Sequence, residues 1–363
     1  MKKYRYSKAL LAIALLALPA AMFAAEATKE YHKEFTATSA TTLGINSKYG
    51  NVVIESWDKD QIVIDVKVKA EAGSQERAET ILSYIDITFS ESGDIITAKT
   101  EFNTNANNIH NGLLNRIGND MSIDYTVKMP VNTALNLENR YGNTVINELG
   151  GLVNLSIKYG NLTAGKLTRG NEKPWSTITL GYGRGTIEEA GWLTLNTSYV
   201  GMLDITQCHA ALLTSKYSKI NFVEVSSIVG ECKYDNLSIG GSITNLDINC
   251  KYTDTRINRL TNILKFNGRY GSLSVDDVPA GFDTIDVDVS YLNTKLEIAN
   301  DASYELNGQA RYGGIRYDSD LFTVKQRIQE NNSLTIAGVM GKDTSPASKV
   351  RIAASYSNVT LNP

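Results

Sequence analysis

Apolar and polar residues alternate on either side of a tyrosine that recurs along the chain. Before Tyr141, for example, Leu135 and Leu137 stand six and four positions away, and the polar Glu138 stands three positions away. The same columns are apolar and polar in most other repeats, and this period of two is typical of a strand with one buried face. A half-buried β-strand is therefore predicted before each tyrosine.

The parity of the apolar positions changes at the tyrosine. Apolar residues follow it at three and five positions, as in Leu162 and Ala164 after Tyr159, whereas a strict period of two would use positions two and four. The change predicts a bend at the tyrosine and a second strand beyond it. A basic residue, a tyrosine and a glycine form this bend motif at Lys48-Tyr49-Gly50, Arg140-Tyr141-Gly142, Lys158-Tyr159-Gly160, Arg269-Tyr270-Gly271 and Arg311-Tyr312-Gly313.

Each residue of the bend motif has a predicted role. The basic residue points to solvent, the tyrosine packs with the inward-facing residues as buried aromatics usually do, and the glycine supplies the bend. Other residues replace the glycine in several repeats, so a positive φ is not expected at every bend. The replacements are Val200, Ser218, Asp235, Thr253 and Leu292.

The repeat length predicts a solenoid. Successive tyrosines lie 17 to 23 residues apart at Tyr141, Tyr159, Tyr182, Tyr199, Tyr217, Tyr234, Tyr252, Tyr270, Tyr291 and Tyr312, with Tyr49 and Tyr356 standing apart. One repeat buries too few side chains to offset the roughly 1–2 kcal/mol of entropy lost per ordered residue, so repeats must stack. We predict an all-β fold in which residues 131–363 form a single-stranded, right-handed parallel β-helix of about 18-residue coils, roughly 50–55 Å long.

The first 130 residues depart from this rule after one coil. Residues 1–27 are interpreted as a signal peptide, because basic residues precede an apolar run and small residues flank the predicted cleavage point. Residues 28–130 are predicted to contain the first coil and a small α+β cap, with a helix beginning near Ser74 and strands in QIVIDVKVKA, YIDITF, DIITAKT and SIDYTVKM. The polar stretch NTNANNIHNGLLNRIGND is predicted to be a disordered loop.

The predicted export determines both the net charge of the mature chain and its expected location. Without residues 1–27 the chain carries 32 basic and 38 acidic residues, a net charge of −6, which argues against nucleic acid as a partner. The apolar run of the signal peptide is too short for a transmembrane helix, and no second run approaches the roughly 20 residues that such a helix needs. The expected location is the periplasm, or the surface or exterior, of a Gram-negative bacterium.

The basic residues that precede the tyrosines are the candidate ligand contacts. Stacked coils would align Lys216, Lys233, Lys251 and Arg269 in a ladder along one edge. The favoured interpretation is a solvated strand edge that discourages aggregation. The alternative is a patch for anionic glycans or lipid headgroups, because such a charge field attracts opposite charge.

The cysteines and histidines offer little chemistry. Cys232 and Cys250 each stand two residues before a tyrosine, so adjacent coils would make them inward-facing neighbours within the Cα range of a disulfide. Two packed thiols are the favoured state, and a disulfide is the alternative. Cys208 and His209 point to opposite faces of a strand and do not form a nucleophile pair. The three histidines are too scattered for a metal site, and no cofactor is expected.

Acidic residues give weak support for an enzyme. Asp286 and Asp288 are both predicted to face outward on one strand, and Asp235 and Asp254 lie near the bends of neighbouring coils. No column repeats an acidic residue over three coils. No catalytic residue is therefore assigned, since a fold alone does not establish an activity.

The sequence resembles the bacterial putative-adhesin group of solenoid domains, the head-GIN or auto-transporter-adhesin-like families of exported Bacteroidetes proteins. The resemblance rests on the signal peptide, on LGINSKYGNVVIESWDKDQIVIDVKV, and on VKMPVNTALNLENRYGNTVINELGG with the tyrosine-glycine bends that follow. It covers nearly the whole mature chain. It implies a β-helical envelope or surface protein without established catalytic residues.

These observations favour an exported, non-catalytic binding or scaffolding protein of the cell envelope. Its partner would be a glycan, another envelope component or a protein. Two alternatives stay open: a carbohydrate-active β-helix enzyme of the polysaccharide lyase or hydrolase kind, and an accessory protein of envelope stress or assembly.

Overall fold

A computed structural model describes residues 25–103 and 120–362. Most of the predicted signal peptide, and all but the ends of the polar stretch NTNANNIHNGLLNRIGND, lie outside the described residues. The elements are β1 (Ala25–Thr36), β2 (Thr42–Lys48), β3 (Val52–Trp57), β4 (Gln61–Ala72), α1 (Gln75–Ser83), β5 (Ile85–Ser92), β6 (Ile95–Phe102), β7 (Met121–Pro130), β8 (Ala134–Arg140), β9 (Thr144–Leu149), β10 (Val153–Lys158), β11 (Leu162–Leu167), β12 (Ser176–Gly181), β13 (Arg184–Ser198), β14 (Met202–Lys216), β15 (Lys219–Lys233), β16 (Asn236–Val278), β17 (Thr284–Ile298), β18 (Tyr304–Arg311), β19 (Gly314–Arg316), β20 (Phe322–Glu330), β21 (Ser333–Met340), β22 (Ser348–Ser355) and β23 (Asn358–Asn362).

The local elements of the N-terminal region form where the sequence predicts them. The helix α1 begins after Ser74, whose hydroxyl accepts the amide N–H of Arg77, and it buries Ala78 and Ile81. The four predicted strands are β4, β5, β6 and β7. Alternation and a capping serine were therefore sufficient signals in this region.

Strands of successive repeats pair in parallel and in register. In the column that precedes the tyrosines, Leu155 aligns with Leu137 on one side and with Ile178 on the other. The column that follows the tyrosines aligns in the same way, as Ala164 does with Ile146 and Ile187. Each repeat therefore contributes one strand segment to each column, and consecutive segments fuse into long strands in β13 to β17.

The apolar positions of the repeats form one core. Leu155, Leu195, Ile248 and Phe266, each four residues before a tyrosine, are at most 2% exposed and belong to a single buried cluster. The aliphatic residues three and five positions after the tyrosines join the same cluster, including Leu237, except for Met202, which is 37% exposed. The predicted inward columns are thus confirmed on both sides of the bend.

The prediction that residues 131–363 form a purely parallel array is wrong. The described strands join into one open, mixed sheet. In it β4 pairs antiparallel with β1 and β7, β5 with β6, and β21 with β18 and β20. Short connections cause some of these reversals, because a two-residue turn at Gly93 (φ 59°) or at Asn331 (φ 47°) returns the chain beside the strand it has just left.

The spatial order of the repeats also differs from their order in the chain. The last repeat, β22 and β23, pairs in parallel with β17 on one side and with β18 and β19 on the other. At the other end, β2 lies between β6 and β8. At each end of the repeat array, strands that are neighbours in the sheet are therefore not consecutive in the chain.

Candidate binding surface

The tyrosine itself makes the bend. All twelve bend tyrosines have φ between 50° and 65°, in the left-handed region that few residues other than glycine, asparagine and aspartate adopt readily. The predicted role of the following glycine is therefore wrong, and so is the expectation that some bends lack a positive φ. The hydrogen-bonded pairing continues through the bend, because the amide N–H of Tyr217 donates to the carbonyl of Lys233 and that of Tyr234 to the carbonyl of Lys251.

The twelve tyrosine rings stack into a continuous row, here called the tyrosine ladder. In spatial order it runs through Tyr49, Tyr141, Tyr159, Tyr182, Tyr199, Tyr217, Tyr234, Tyr252, Tyr270, Tyr291, Tyr356 and Tyr312. Neighbouring ring centroids are 4.7 to 5.2 Å apart with interplanar angles of 15° or less. Eleven strand intervals make the row roughly 53 Å long.

The tyrosine ladder is on the surface, which corrects the prediction that its rings face the core. Eleven of the twelve tyrosines are 37–51% exposed, and Tyr49 is half-buried against Phe102. Parity assigned the rings inward because it assumed extended backbone through the bend. A left-handed residue turns its side chain away from the strand's alternation, so the ring projects outward while its neighbours stay buried.

The glycine after the tyrosine serves close packing between repeats. A Cβ built on Gly142 would lie 1.7 Å from the carbonyl oxygen of Gly50, and one on Gly160 would lie 1.9 Å from that of Gly142. The replacements Val200, Ser218, Asp235, Thr253 and Leu292 are instead all at most 7% exposed. Two kinds of bend therefore exist, one with glycine against the next backbone and one with an inward side chain.

Inward hydroxyl and carboxyl groups satisfy the backbone at the second kind of bend. The Ser218 hydroxyl accepts the amide N–H of Val200, and the Thr253 hydroxyl accepts that of Asp235. The Asp235 carboxylate accepts the amide N–H groups of Ser218 (2.6 Å) and Lys233 (2.8 Å). Burial raises the pKa of Asp235, and these two hydrogen bonds oppose the rise.

The basic residues next to the tyrosines are exposed, as predicted, except for Lys48, which is half-buried. Lys216 aligns with Lys233, and Lys233 with Lys251. In spatial order this position, here called the basic row, reads Lys48, Arg140, Lys158, Gly181, Ser198, Lys216, Lys233, Lys251, Arg269, Ser290, Ser355 and Arg311. The row thus contains two basic blocks separated by Gly181 and Ser198, and Arg311 lies apart from them beyond Ser290 and Ser355.

Most of the basic row has no acidic partner in the described part of the chain. Arg140 pairs with Glu138 at 2.7 Å, and Lys233 lies 3.8 Å from Glu231. No other member of the row has a carboxylate within 4.0 Å among the described residues, so Lys158, Lys216, Lys251 and Arg269 present their charge to solvent. The surface can therefore attract anions without first breaking an ion pair.

A cleft of about 600 Å³ lies between the two basic blocks. Lys158 borders one end, and Lys216 and Lys233 border the other. Thr179, Asn196, Ser198 and Thr214 line the cleft between them, with the rings of Tyr159 and Tyr182 beside it. The cleft thus combines ammonium groups, hydroxyl groups, an amide and aromatic surface in one place.

The tyrosine ladder also borders shallow grooves on its other side. One of about 640 Å³ is lined by Asn51, Asn143 and Asp124. There the side-chain oxygen of Asn51 accepts the amide N–H of Asn143, and that of Asn143 accepts the amide N–H of Asn161. These asparagines are already engaged by the backbone, so they leave fewer polar groups for a ligand than the cleft beside Gly181.

The cysteines are buried and align as predicted. Cys232 lies opposite Cys250 in the parallel register, and all three cysteines are free thiols. The hydrogen bond with Cys250 and burial raise the pKa of Cys232, and burial raises that of Cys208 to about 12, so neither is a ready nucleophile. Alkylation of the unfolded chain without reductant will distinguish two thiols from a disulfide.

The remaining candidates do not assemble into a catalytic centre. His209 is exposed and packs against Trp192, whereas Cys208 is buried, so the pair is separated as predicted. Asp286 pairs with Arg351, and Asp235 faces the interior. Among the residues that the structure describes, no group of three or more His, Cys, Asp or Glu side chains could hold a metal ion, and no helix could span a membrane.

Comparison with known proteins gives distant structural likenesses. No protein-family model matches the chain, and no curated protein matches it. A "putative cell adhesion protein" from Clostridium sporogenes shares 9% identity over 93% of this chain and 99% of its own, with a TM-score of 0.18. A "putative adhesin" from Parabacteroides distasonis shares 10% identity over 92% of this chain and 97% of its own, with a TM-score of 0.28.

A third crystal structure, a "putative lipid binding protein" from Parabacteroides distasonis, shares 10% identity over 74% of this chain and 91% of its own, with a TM-score of 0.26. At these scores and identities the likenesses establish neither a common fold nor a common function. The tyrosine ladder and the basic row are therefore the features of this chain that bear on its function.

Proposed function

We propose that this protein is a non-catalytic, adhesin-like binding protein of the cell envelope. The observation that carries the proposal is the exposed tyrosine ladder with the mostly unpaired basic row beside it. Each tyrosine occupies a left-handed conformation that costs about 1–2 kcal/mol. A stacked pair of rings contributes only about 0.5–1.5 kcal/mol of stabilisation. A surface of this regularity, held in a costly conformation at twelve bends, is well suited to contact an extended partner.

The partner class we propose is an acidic glycan. Ammonium and guanidinium groups attract carboxylates and sulfates, tyrosine rings and hydroxyl groups suit sugar rings and their hydroxyls, and the linear row matches a linear polymer. The parallel, in-register repeats support a right-handed β-helix as the scaffold, with residues 28–130 as its cap and 131–363 as its coils. Residues 1–27 are proposed to direct export to the periplasm or the cell surface.

Charge reversal tests the proposed contact surface. In the variant K216E/K233E/K251E/R269E, binding to immobilised polygalacturonate should fall at least about ten-fold and become insensitive to salt. A matched control is K33E/K59E/K325E/R327E, which changes the net charge equally at exposed residues outside the basic row. Equal binding by both variants and the unaltered protein would refute the surface.

A turnover assay tests the non-catalytic part of the proposal. Incubation of the protein with acidic polysaccharides should release neither unsaturated nor reducing sugars above the background without protein. Release that scales with protein concentration would instead support the lyase or hydrolase alternative.

Two further experiments test the location and the partners of the protein. Fractionation with protease treatment of intact cells will distinguish a periplasmic from a surface location. A periplasmic pull-down will test the assembly alternative.

A further inference from the structure

The cleft between the two basic blocks has features that the rest of the basic row lacks. At Gly181 and Ser198 the row has no long side chain, and the cleft of about 600 Å³ opens above these two positions. Ligand pockets in proteins have volumes of about 300–1,000 Å³. The missing long side chains therefore do more than lower the positive charge of the row at this point. They also leave room for a fragment of a ligand.

Gly181 is not needed for the backbone. Its φ is not positive, and a Cβ built on it would meet nothing nearer than the Ser198 carbonyl oxygen at 3.6 Å and the Lys158 Cγ at 3.8 Å. The glycines that follow the ladder tyrosines differ, because a Cβ on Gly160 or Gly183 would lie 2.0 Å or less from a backbone oxygen. A side chain at position 181 is thus sterically allowed and would project into the cleft.

The groups along the cleft are available to a ligand. Within the described residues, the side chains of Thr179, Asn196, Ser198 and Thr214 have no hydrogen-bond partner in the protein, and Lys158 and Lys216 have no ion-pair partner. Lys158 and Lys216 are separated by three strand intervals, roughly 14 Å. Glu231 also lines the cleft, but it lies at the far end, 3.8 Å from Lys233.

We propose that this cleft is the specific subsite for an acidic oligosaccharide. Sugar hydroxyls bind Thr179, Asn196 and Ser198, and acid groups on either side bind Lys158 and Lys216. The hydroxyl and amide lining favours a hydroxylated ring over a phospholipid headgroup, which needs only the charge. This inference rests on the proposed binding function and assigns its specificity to one place on the basic row.

One pair of substitutions separates a subsite from diffuse charge attraction. Gly181→Lys adds a positive charge to the row and also fills the cleft, whereas Ser290→Lys adds the same charge at another interruption of the row, beside Arg269. If the subsite exists, calorimetric titration with a defined oligogalacturonate should show about ten-fold weaker binding for G181K and equal or tighter binding for S290K. Binding by G181K as tight as that of S290K would overturn the subsite.

A second variant and two further probes complete the test. Asn196→Ala removes the amide without adding bulk and should also weaken oligogalacturonate binding, so it decides the matter if G181K does not fold. The carboxyl-reduced oligosaccharide should bind weakly to every variant. Phosphatidylglycerol vesicles that bind the unaltered protein and G181K equally, with no binding of oligogalacturonate, would overturn the glycan in favour of a lipid surface.

Failure of this inference can be distinguished from failure of the proposed function. If K216E/K233E/K251E/R269E loses polygalacturonate binding but G181K and N196A retain it, the basic row binds glycan without a subsite. If the charge-reversed variant retains binding, the proposed contact surface itself is wrong.

Discussion

At the scale of single residues, the central feature is a bulky aromatic residue in a left-handed conformation. The ring gains two stacking partners, and the bend requires a backbone that β-branched residues adopt poorly. These two effects can be separated by substitution, because asparagine tolerates the left-handed region and valine does not.

We predict that Tyr234→Val destabilises the protein more than Tyr234→Asn. Both variants lose the rings' contacts with Tyr217 and Tyr252, but only valine adds backbone strain at φ 59°. The difference should be about 1–2 kcal/mol in the free energy of unfolding in urea. Equal destabilisation would mean that the ring contacts alone determine the cost.

The glycines give a second prediction. Gly142→Ala would place a Cβ 1.7 Å from the Gly50 carbonyl oxygen, so the backbone of two repeats must separate. We expect a loss of about 3 kcal/mol, measured by urea unfolding. Gly181→Ala is the matched control and should be neutral or stabilising by about 0.4–1 kcal/mol. A tolerated G142A would show that the repeats are not packed so closely.

Asp235 gives a prediction of pH dependence. Its pKa is raised in the folded state, so between the unfolded value of 3.8 and the folded value the native state binds more protons. Asp235 therefore lowers the free energy of unfolding as pH rises through that interval. Asp235→Ser supplies the hydroxyl that Ser218 and Thr253 use at the same position.

The measurement compares the unaltered protein with D235S across the pH range. The stability of the unaltered protein relative to D235S should increase as pH falls through the raised pKa and become constant below about pH 3.8. The difference should be obtained from urea unfolding at each pH. A pH-independent difference, or one of opposite sign, would contradict the inferred protonation.

At the scale of elements, sequence alternation was sufficient for the strands but not for the bend. Period-two alternation identifies the buried columns because strand geometry is the same in each repeat, and Ser74 identifies the start of α1. The orientation of the tyrosines could not be predicted from parity, since a left-handed residue breaks the alternation. The sequence does contain one signal for this orientation. The same aromatic residue recurs at every bend, although a glycine alone would be sufficient to form the bend.

The interleaved C-terminal elements lead to a further prediction. Deletion of residues 343–363 removes β22 and β23, and with them the strands that join β17 to β18 and β19. In hydrogen exchange, β18 to β21 should lose protection while β10 to β15 retain it, because a stacked array loses stability locally. As a control, Ile328→Ser in the exposed strand β20 should leave the protection of β17 and β18 unchanged. Retained protection of β18 in the truncated chain would contradict this arrangement.

At the scale of the whole molecule, the sequence predicted a stack of repeats but not their order. All repeats share the same inward columns and nearly the same length, so any repeat could pair with any other. The order depends on the connections between them, and a turn at Gly93 or Asn331 is too local to reveal which distant strand lies alongside. The cleft was missed for the same reason, since Gly181 and Ser198 matter only once Lys158 and Lys216 flank them in space.

The interleaved last repeat has a consequence for how the molecule is assembled. Tyr356 stacks between Tyr291 and Tyr312, so the final rung of the tyrosine ladder fills a gap whose two sides come earlier in the chain. Repeats added in order of synthesis can extend the array as far as β17, but β18 must wait for residues that emerge after it. The C-terminal end is therefore completed by insertion instead of by simple growth, and the full binding edge exists only when chain synthesis has passed residue 362.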